Sequence, residues 1–280
     1  MPFLLAGCGA SGPAPQAKPA MWLVEDADTR VYLLGTMHAL PPGTDWDDGV
    51  VGQAIASADE LVMELSPTQL AAAGAEFQQL APRKAPLAID ARLRGKALTN
   101  YRALEDSGSA FGGDKLDDWA VMVLMGQRVA QDANLSGSDG VENGLTRQFQ
   151  AAGKPIAGLE TARTQLMLFE TLDAPTQRAL LIRAAEGADD AVNEVTALTA
   201  AWSRGDVAAL EKMINEDVEA VPAARQAIIT DRNQRWSAWV QTRMARPGTV
   251  MMAVGAGHLV GGDGVPAMLV AKGLIVTRVQ

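Results

Sequence analysis

The two histidines of this 280-residue chain, His38 and His258, occupy the same local pattern. The first closes Leu33-Leu34-Gly35-Thr36-Met37-His38 and the second closes Ala253-Val254-Gly255-Ala256-Gly257-His258. Each reads as an apolar strand, a glycine, two residues and a histidine. A glycine at a strand end lets the backbone turn sharply or approach a ligand closely. A histidine three residues on then projects over the carboxyl edge of the sheet, where open α/β sheets bind ligands. One Gly-x-x-His is a short match, and a lone histidine is commonly a hydrogen-bonded core residue. The matched pair at opposite ends of the chain carries the inference.

Carboxylates stand in equivalent places. Glu64 lies near the end of the apolar run Leu61-Val62-Met63, and Glu160 follows Ile156-Ala157-Gly158-Leu159. Two imidazoles and one carboxylate suit a divalent transition metal such as zinc, manganese or cobalt. His38, His258 and Glu64 are therefore the expected metal ligands. Such a set leaves positions open for water and substrate, and a bound metal lowers the pKa of its water. The plainer role for Glu64 is to cap a helix starting near Pro67. Glu160 can be a ligand, a general base or a carboxylate favoured at a helix N-terminus. Arg232 falls in a polar interruption of an otherwise helical stretch, 223–244, and can hold a substrate carboxylate through a bidentate fork. A solvated helix face explains it equally. Glu64, Glu160 and Arg232 are the expected catalytic residues. Asp139 and Glu142 can serve similarly, or belong to a surface loop and a helix cap.

The elements that must place these groups are legible from periodicity. Residues 21–35 are two apolar, β-prone runs about Asp26-Ala27-Asp28, a hairpin with an uncertain turn type. Trp46 to Ala58 has helical spacing with Asp45 as the N-cap. Further strands are expected at 60–65, 154–159, 249–255 and 273–279. Residues 68–153 and 161–245 are mainly helical. Leu116 to Ala130 is the clearest helix, and Gly264 to Lys272 is another. The expected fold is α/β: a central β-sheet built from both chain ends, with a large helical middle segment packed over one edge.

Composition narrows the function. Lys plus Arg is 24 and Asp plus Glu is 33, giving a net charge of −9. With no basic block, such a chain repels phosphate backbones, so nucleic acid is not an expected partner. The single cysteine rules out an internal disulfide framework. No apolar run reaches the ~18 residues of a membrane span. Leu5-Ala6-Gly7-Cys8 is a lipobox-like sequence followed by a stretch rich in Gly, Ala, Pro and Ser. It divides the chain into a truncated signal, lipobox and flexible tether at 1–20 and one α/β domain at 21–280. Seven residues without Lys or Arg precede Cys8, fewer than a signal peptide needs. A lipid anchor at Cys8 thus requires a start upstream of Met1. It would make the protein periplasmic and membrane-bound.

Taken in order, five segments resemble the TraB/GumN family, which is related to the Tiki metalloproteases. They are Gly35-Thr36-Met37-His38, Val62-Met63-Glu64-Leu65, Gly158-Leu159-Glu160-Thr161 with Gln165, Asp231-Arg232-Asn233, and Gly255-Ala256-Gly257-His258-Leu259 with Gly264-Val265. The resemblance covers nearly all of 21–280. It implies a fold like that of the erythromycin-esterase and ChaN-like proteins, with the two Gly-x-x-His motifs and their carboxylates forming a metal-dependent hydrolytic site. The expected function is an extracytoplasmic metal-dependent hydrolase, with a peptidase as one form of it, acting on a peptide or small molecule. It is not a zincin, because His-Glu-x-x-His is missing. No Gly-x-Ser-x-Gly elbow supports a serine nucleophile. The alternatives are a periplasmic lipoprotein that binds a ligand or metal without turnover, and an interaction protein on a degenerate enzyme scaffold.

Overall fold

The computed structural model describes residues 16–108, 110–218 and 221–280, with backbone alone at 215–218. Cys8 and most of the expected tether lie outside the described residues. β1 (Met21–Glu25) and β2 (Thr29–Thr36) form the expected hairpin. Its turn is built on Asp26, whose Oδ1 accepts from the backbone N–H of Asp28 at 3.2 Å and of Thr29 at 2.9 Å. The aspartate side chain thus makes the bend that an Asn-Gly dipeptide makes elsewhere.

α1 (Gly49–Ser57) leads into β3 (Glu60–Leu65). The first helical stretch follows as α2 (Pro67–Leu80), α3 (Ile89–Arg92), α4 (Gly95–Asp106), α5 (Asp118–Asp132) and α6 (Val141–Ala151). β4 (Ile156–Glu160) separates it from the second. That comprises α7 (Ala162–Glu170), α8 (Ala174–Gly187), α9 (Ala191–Ser203), α10 (Val207–Val218), α11 (Pro222–Arg225) and α12 (Asp231–Arg243). The chain ends with β5 (Gly248–Gly255), α13 (Val265–Ala271) and β6 (Val276–Arg278).

All six strands join one sheet in the order β4-β3-β5-β2-β1-β6. β4, β3, β5 and β2 run parallel, while β1 is antiparallel to both β2 and β6. Four strands therefore present their carboxyl ends at one edge. Both faces are covered. Leu34, Leu61, Met63, Met251 and Ala253 pack with Trp46, Val141, Phe149 and Trp202 on one side. Leu33, Val62, Val250, Met252 and Val254 pack with Trp236, Val240 and Leu269 on the other. Successive residues of a strand point to opposite faces, so these central strands read as continuous apolar runs. The helical middle keeps an apolar cluster of its own, in which Tyr101, Val121, Met125 and Leu181 are buried.

The first helix starts later than the spacing predicts, at Gly49, and Asp48, not Asp45, precedes it. Trp46 is the cause. It is buried in the core against Gly144, where an added Cβ would lie 2.6 Å from the indole, and Gly49 turns the chain at φ +58°. The helix expected from Leu116 starts at Asp118, because Leu116 pairs as a β-bridge with Pro82. The helix expected over 223–244 is interrupted by a π-helical segment, Gln226–Thr230. Gln16 to Ala20, assigned to the tether from composition, are docked. Gln16 bridges Asp45, Lys18 N–H donates to the Ser203 carbonyl at 2.7 Å, and Ala17 and Ala20 are buried.

Leu33 and Leu34 test the two-sided core, since they are adjacent, fully buried and on opposite faces. Leu33→Ala and Leu34→Ala should each cost about 2–5 kcal/mol in urea unfolding. A sheet with one wet face would make one of them nearly neutral.

Candidate functional site

At the parallel edge, Arg232 is the point on which the other groups converge. It sits in the first turn of α12, directly after the π segment, and is 4% exposed. Its Nε donates to Glu160 Oε1 at 3.0 Å and Oε2 at 3.2 Å. Nη2 donates to Glu64 Oε2 at 2.5 Å and Glu160 Oε2 at 2.9 Å. Nη1 meets His258 Nε2 at 2.9 Å and the Ile228 carbonyl at 3.3 Å. A guanidinium has five N–H donors in a planar fork, and these partners engage all three of its nitrogens. The fork that could take a substrate carboxylate is filled by Glu64 and Glu160.

Both carboxylates are placed by strand ends. Glu64 is not a helix cap: Ser66 caps α2, accepting from Gln69 N–H. Glu64 Oε1 accepts from Gly255 N–H at 2.9 Å, and Oε2 also accepts from Gln165 at 2.8 Å. Glycine at 255 gives room for this approach, since an added Cβ would lie 3.3 Å from Oε1 and the carboxylate would have to shift by a fraction of an ångström. Burial pushes the Glu64 carboxyl up, but Arg232, with His258 and His38 adding, outweighs it and holds the group at about 2. Glu160 likewise does not cap α7, a role taken by Thr161 through a capping box with Thr164.

The state of His258 follows from its neighbours. Asn233 Nδ2 donates to the Asp263 carbonyl at 2.8 Å, which turns its Oδ1 toward His258 Nδ1 at 2.7 Å. Nδ1 therefore carries the proton, and Nε2 offers its lone pair to Arg232. Burial pushes His258 down, Glu64 opposes and Arg232 adds, leaving it at about 4. The Trp236 ring lies 4.5 Å from both the imidazole and the guanidinium carbon.

His38 is in a different situation. Its side chain is 74% exposed, and its Nδ1 lies 2.8 Å from Glu142 Oε1. The same oxygen accepts from the Thr36 hydroxyl at 2.5 Å. Glu142 is 16% exposed and comes from the first turn of α6. α6 approaches through Gly140, where an added Cβ would lie 2.1 Å from the His38 carbonyl oxygen. The charge of Glu142 and its hydrogen bond hold His38 up at about 9. The same pairing lowers Glu142 despite its burial.

The structure thus brings His258, Glu64, Glu160 and Arg232 into contact, while His38 makes its hydrogen bond to Glu142 and acts on Glu64 and His258 through its charge. Glu142 had only an ambiguous signal, a carboxylate beside Gly140-Val141. Asn233 and Gln165 were visible as motif residues without a role. With Arg232 seated, Glu64 and His258 do not fit a metal: the one lone pair of His258 already accepts an N–H, and a guanidinium stands where the ion's charge would be. Among the described residues, no group of three or more His, Cys, Asp or Glu is arranged to hold a metal.

The family model for the TraB/PrgY/gumN family matches residues 20–278, and the chain belongs to that family. No curated protein and no solved structure matches it.

Two titrations should separate the imidazoles. Nitrogen-15 NMR of the two rings should show His258 as the neutral Nδ1–H tautomer until about pH 4 and His38 protonated until about pH 9. Glu142→Gln should bring His38 back toward about 6.5. Two curves near 6.5 in the unaltered protein would contradict this assignment.

Arg232→Met leaves Glu64 and Glu160 buried without their counter-charge and should cost about 3–5 kcal/mol near pH 7. Glu64 is depressed in the folded state, so the stability it contributes is full above its unfolded pKa of about 4.3 and is lost as pH falls toward 2. Urea unfolding should show the gap between the two proteins narrowing over that range.

Proposed function

We propose that this member of the TraB/PrgY/gumN family is a hydrolase of a carbonyl substrate, a peptide or an ester, with His38 as the proton-transfer group. The observation that carries this is an exposed imidazole fixed from behind by a largely buried carboxylate, at the edge where four parallel strands end. Glu142 on Nδ1 orients the ring, leaves Nε2 toward solvent and stabilises the imidazolium, as the carboxylate does in a catalytic triad. In its neutral form His38 takes a proton from water as the water oxygen bonds to the carbonyl carbon. It returns that proton to the leaving nitrogen or oxygen as the scissile bond breaks. Glu64, Glu160, Arg232 and His258 form the rigid, charged floor beneath this reaction.

Metal-dependent hydrolysis is the second reading. Glu142 behind His38 favours it, because metal-ligating histidines commonly carry a carboxylate on the other ring nitrogen. It requires His38 to lose its proton and Arg232 to release Glu64 and His258. The lipobox-like Leu5-Ala6-Gly7-Cys8 supports placement outside the cytoplasm on a lipid anchor, and mass spectrometry of native protein showing a lipid-free Cys8 would end that part. Capture of a ligand without turnover is the outcome if no substrate is consumed.

A panel of peptides and aryl esters tests the proposal. With His38 as base, kcat/KM should rise with pH through a midpoint near 9 and level off above it. His38→Ala should lower it by about 10²–10⁴-fold. Glu142→Gln should move the rise toward about 6.5. Full activity in His38→Ala would overturn the assignment. Metal content, and activity before and after chelation, decide between the two readings.

A further inference from the structure

Beside the charged site lies a cavity of about 750 Å3 in the helical middle. Its walls are mostly apolar, including Met122, Met125, Val129, Phe169, Leu180 and Ile228, with Arg183, Glu186 and Glu194 as charged lining groups. A smaller cavity of about 360 Å3 shares Arg183, Ala191 and Glu194 with it. The two adjoin across these shared residues, and the larger one is the groove between α5, α7 and α8.

The walls of the two cavities adjoin the site at three places. Phe169 is one helical turn beyond Gln165, the residue that donates to Glu64. Ile228 lends its carbonyl to Arg232 while lining the larger cavity. Ile214 lines the smaller cavity and packs beneath Gly257, where an added Cβ would lie 3.1 Å from it. The chain supplying Ile228 is the π segment just before Arg232. Such segments are rare in helices and concentrate at functional sites.

We propose that the groove is the substrate's apolar subsite, and that it takes a medium-length acyl chain attached to the scissile carbonyl. This rests on the hydrolase reading for the reaction, although not for the binding. The volume is in the range that holds a ligand of that size. The methionines supply flexible, polarisable walls that adapt to a chain with no fixed shape. The polar end of the substrate is then left at the sheet edge, where His38 and the floor of charges stand.

Gly126 gives a clean test. It lines the larger cavity from the middle of α5, and an added Cβ there meets nothing within 4 Å. Gly126 is exposed at the mouth of the groove, so Gly126→Trp blocks entry there, and Gly126→Leu narrows it in part while improving helix propensity. The direct probe is decanoate, with acetate as control, titrated into the full protein by calorimetry. Decanoate should bind the unaltered protein. Binding should weaken at least about tenfold in Gly126→Trp and less in Gly126→Leu. Circular dichroism checks folding, and Gly126→Leu decides if the tryptophan variant is misfolded. In the p-nitrophenyl ester series, kcat/KM should rise about two- to fourfold per added methylene in the unaltered protein and flatten in the Gly126 variants. No decanoate binding, or equal binding in the Gly126 variants, overturns the subsite. Decanoate binding lost in those variants, with no ester cleaved, upholds the subsite and rejects the hydrolase.

Discussion

A single guanidinium holds the functional edge together. Arg232 ties Glu64 at the end of β3, Glu160 at the end of β4 and His258 in the turn after β5, and anchors all three to the π segment through Ile228. Only arginine has the donors and the planar fork for this, so lysine is no substitute. The second carboxylate has a further cation, the exposed Arg235 at 3.5 Å from Glu160, and donors from Gly255 and Gln165 complete the partners of Glu64. Such an arrangement contributes little net stability compared with apolar packing, yet it is costly to break. What it supplies is geometry: three segments far apart in sequence cannot drift relative to one another.

The same network assigns opposite states to two histidines with the same local motif. His258 is buried, neutral and pinned by Asn233 and Arg232. His38 is exposed and paired with a carboxylate that keeps it charged. The difference comes entirely from the surroundings. One glycine motif ends in a turn roofed by α12, the other in a loop met by α6 through Gly140. A ring proton in contact with solvent is thereby kept at one position, while its twin becomes part of the scaffold.

Much of the fold was legible in the sequence because parallel strands buried on both faces are unbroken apolar runs punctuated by glycine. β3, β5 and the second half of β2 follow that rule, whereas β1 is antiparallel and β4, at the sheet edge, has no fully buried residue. Helix starts were less legible where a tertiary contact overrides spacing, as buried Trp46 does before α1 and the Leu116 bridge does before α5. Of the site, the histidines and strand-end carboxylates were visible as a repeated pattern. The filling of Arg232 by Glu64 and Glu160 was not, because a polar stretch in a helix looks the same whether it faces water or a buried charge. Glu142 was ambiguous for a similar reason: its partner is 104 positions away, and no local periodicity records that distance.

Strand order also governs how the molecule can be made. β5, near the end of the chain, lies between β2 and β3 at the middle of the sheet, and β6 pairs with β1. Until residue 255 has left the ribosome, β2 and β3 have no common neighbour, and their inner edges stay open. Contacts of such long sequence separation form slowly. The growing chain is therefore an assembly of local helices, one hairpin and the β3-β4 pair, and its sheet closes only once β5 has emerged. Chaperones that shield open strand edges would have their longest engagement with that intermediate.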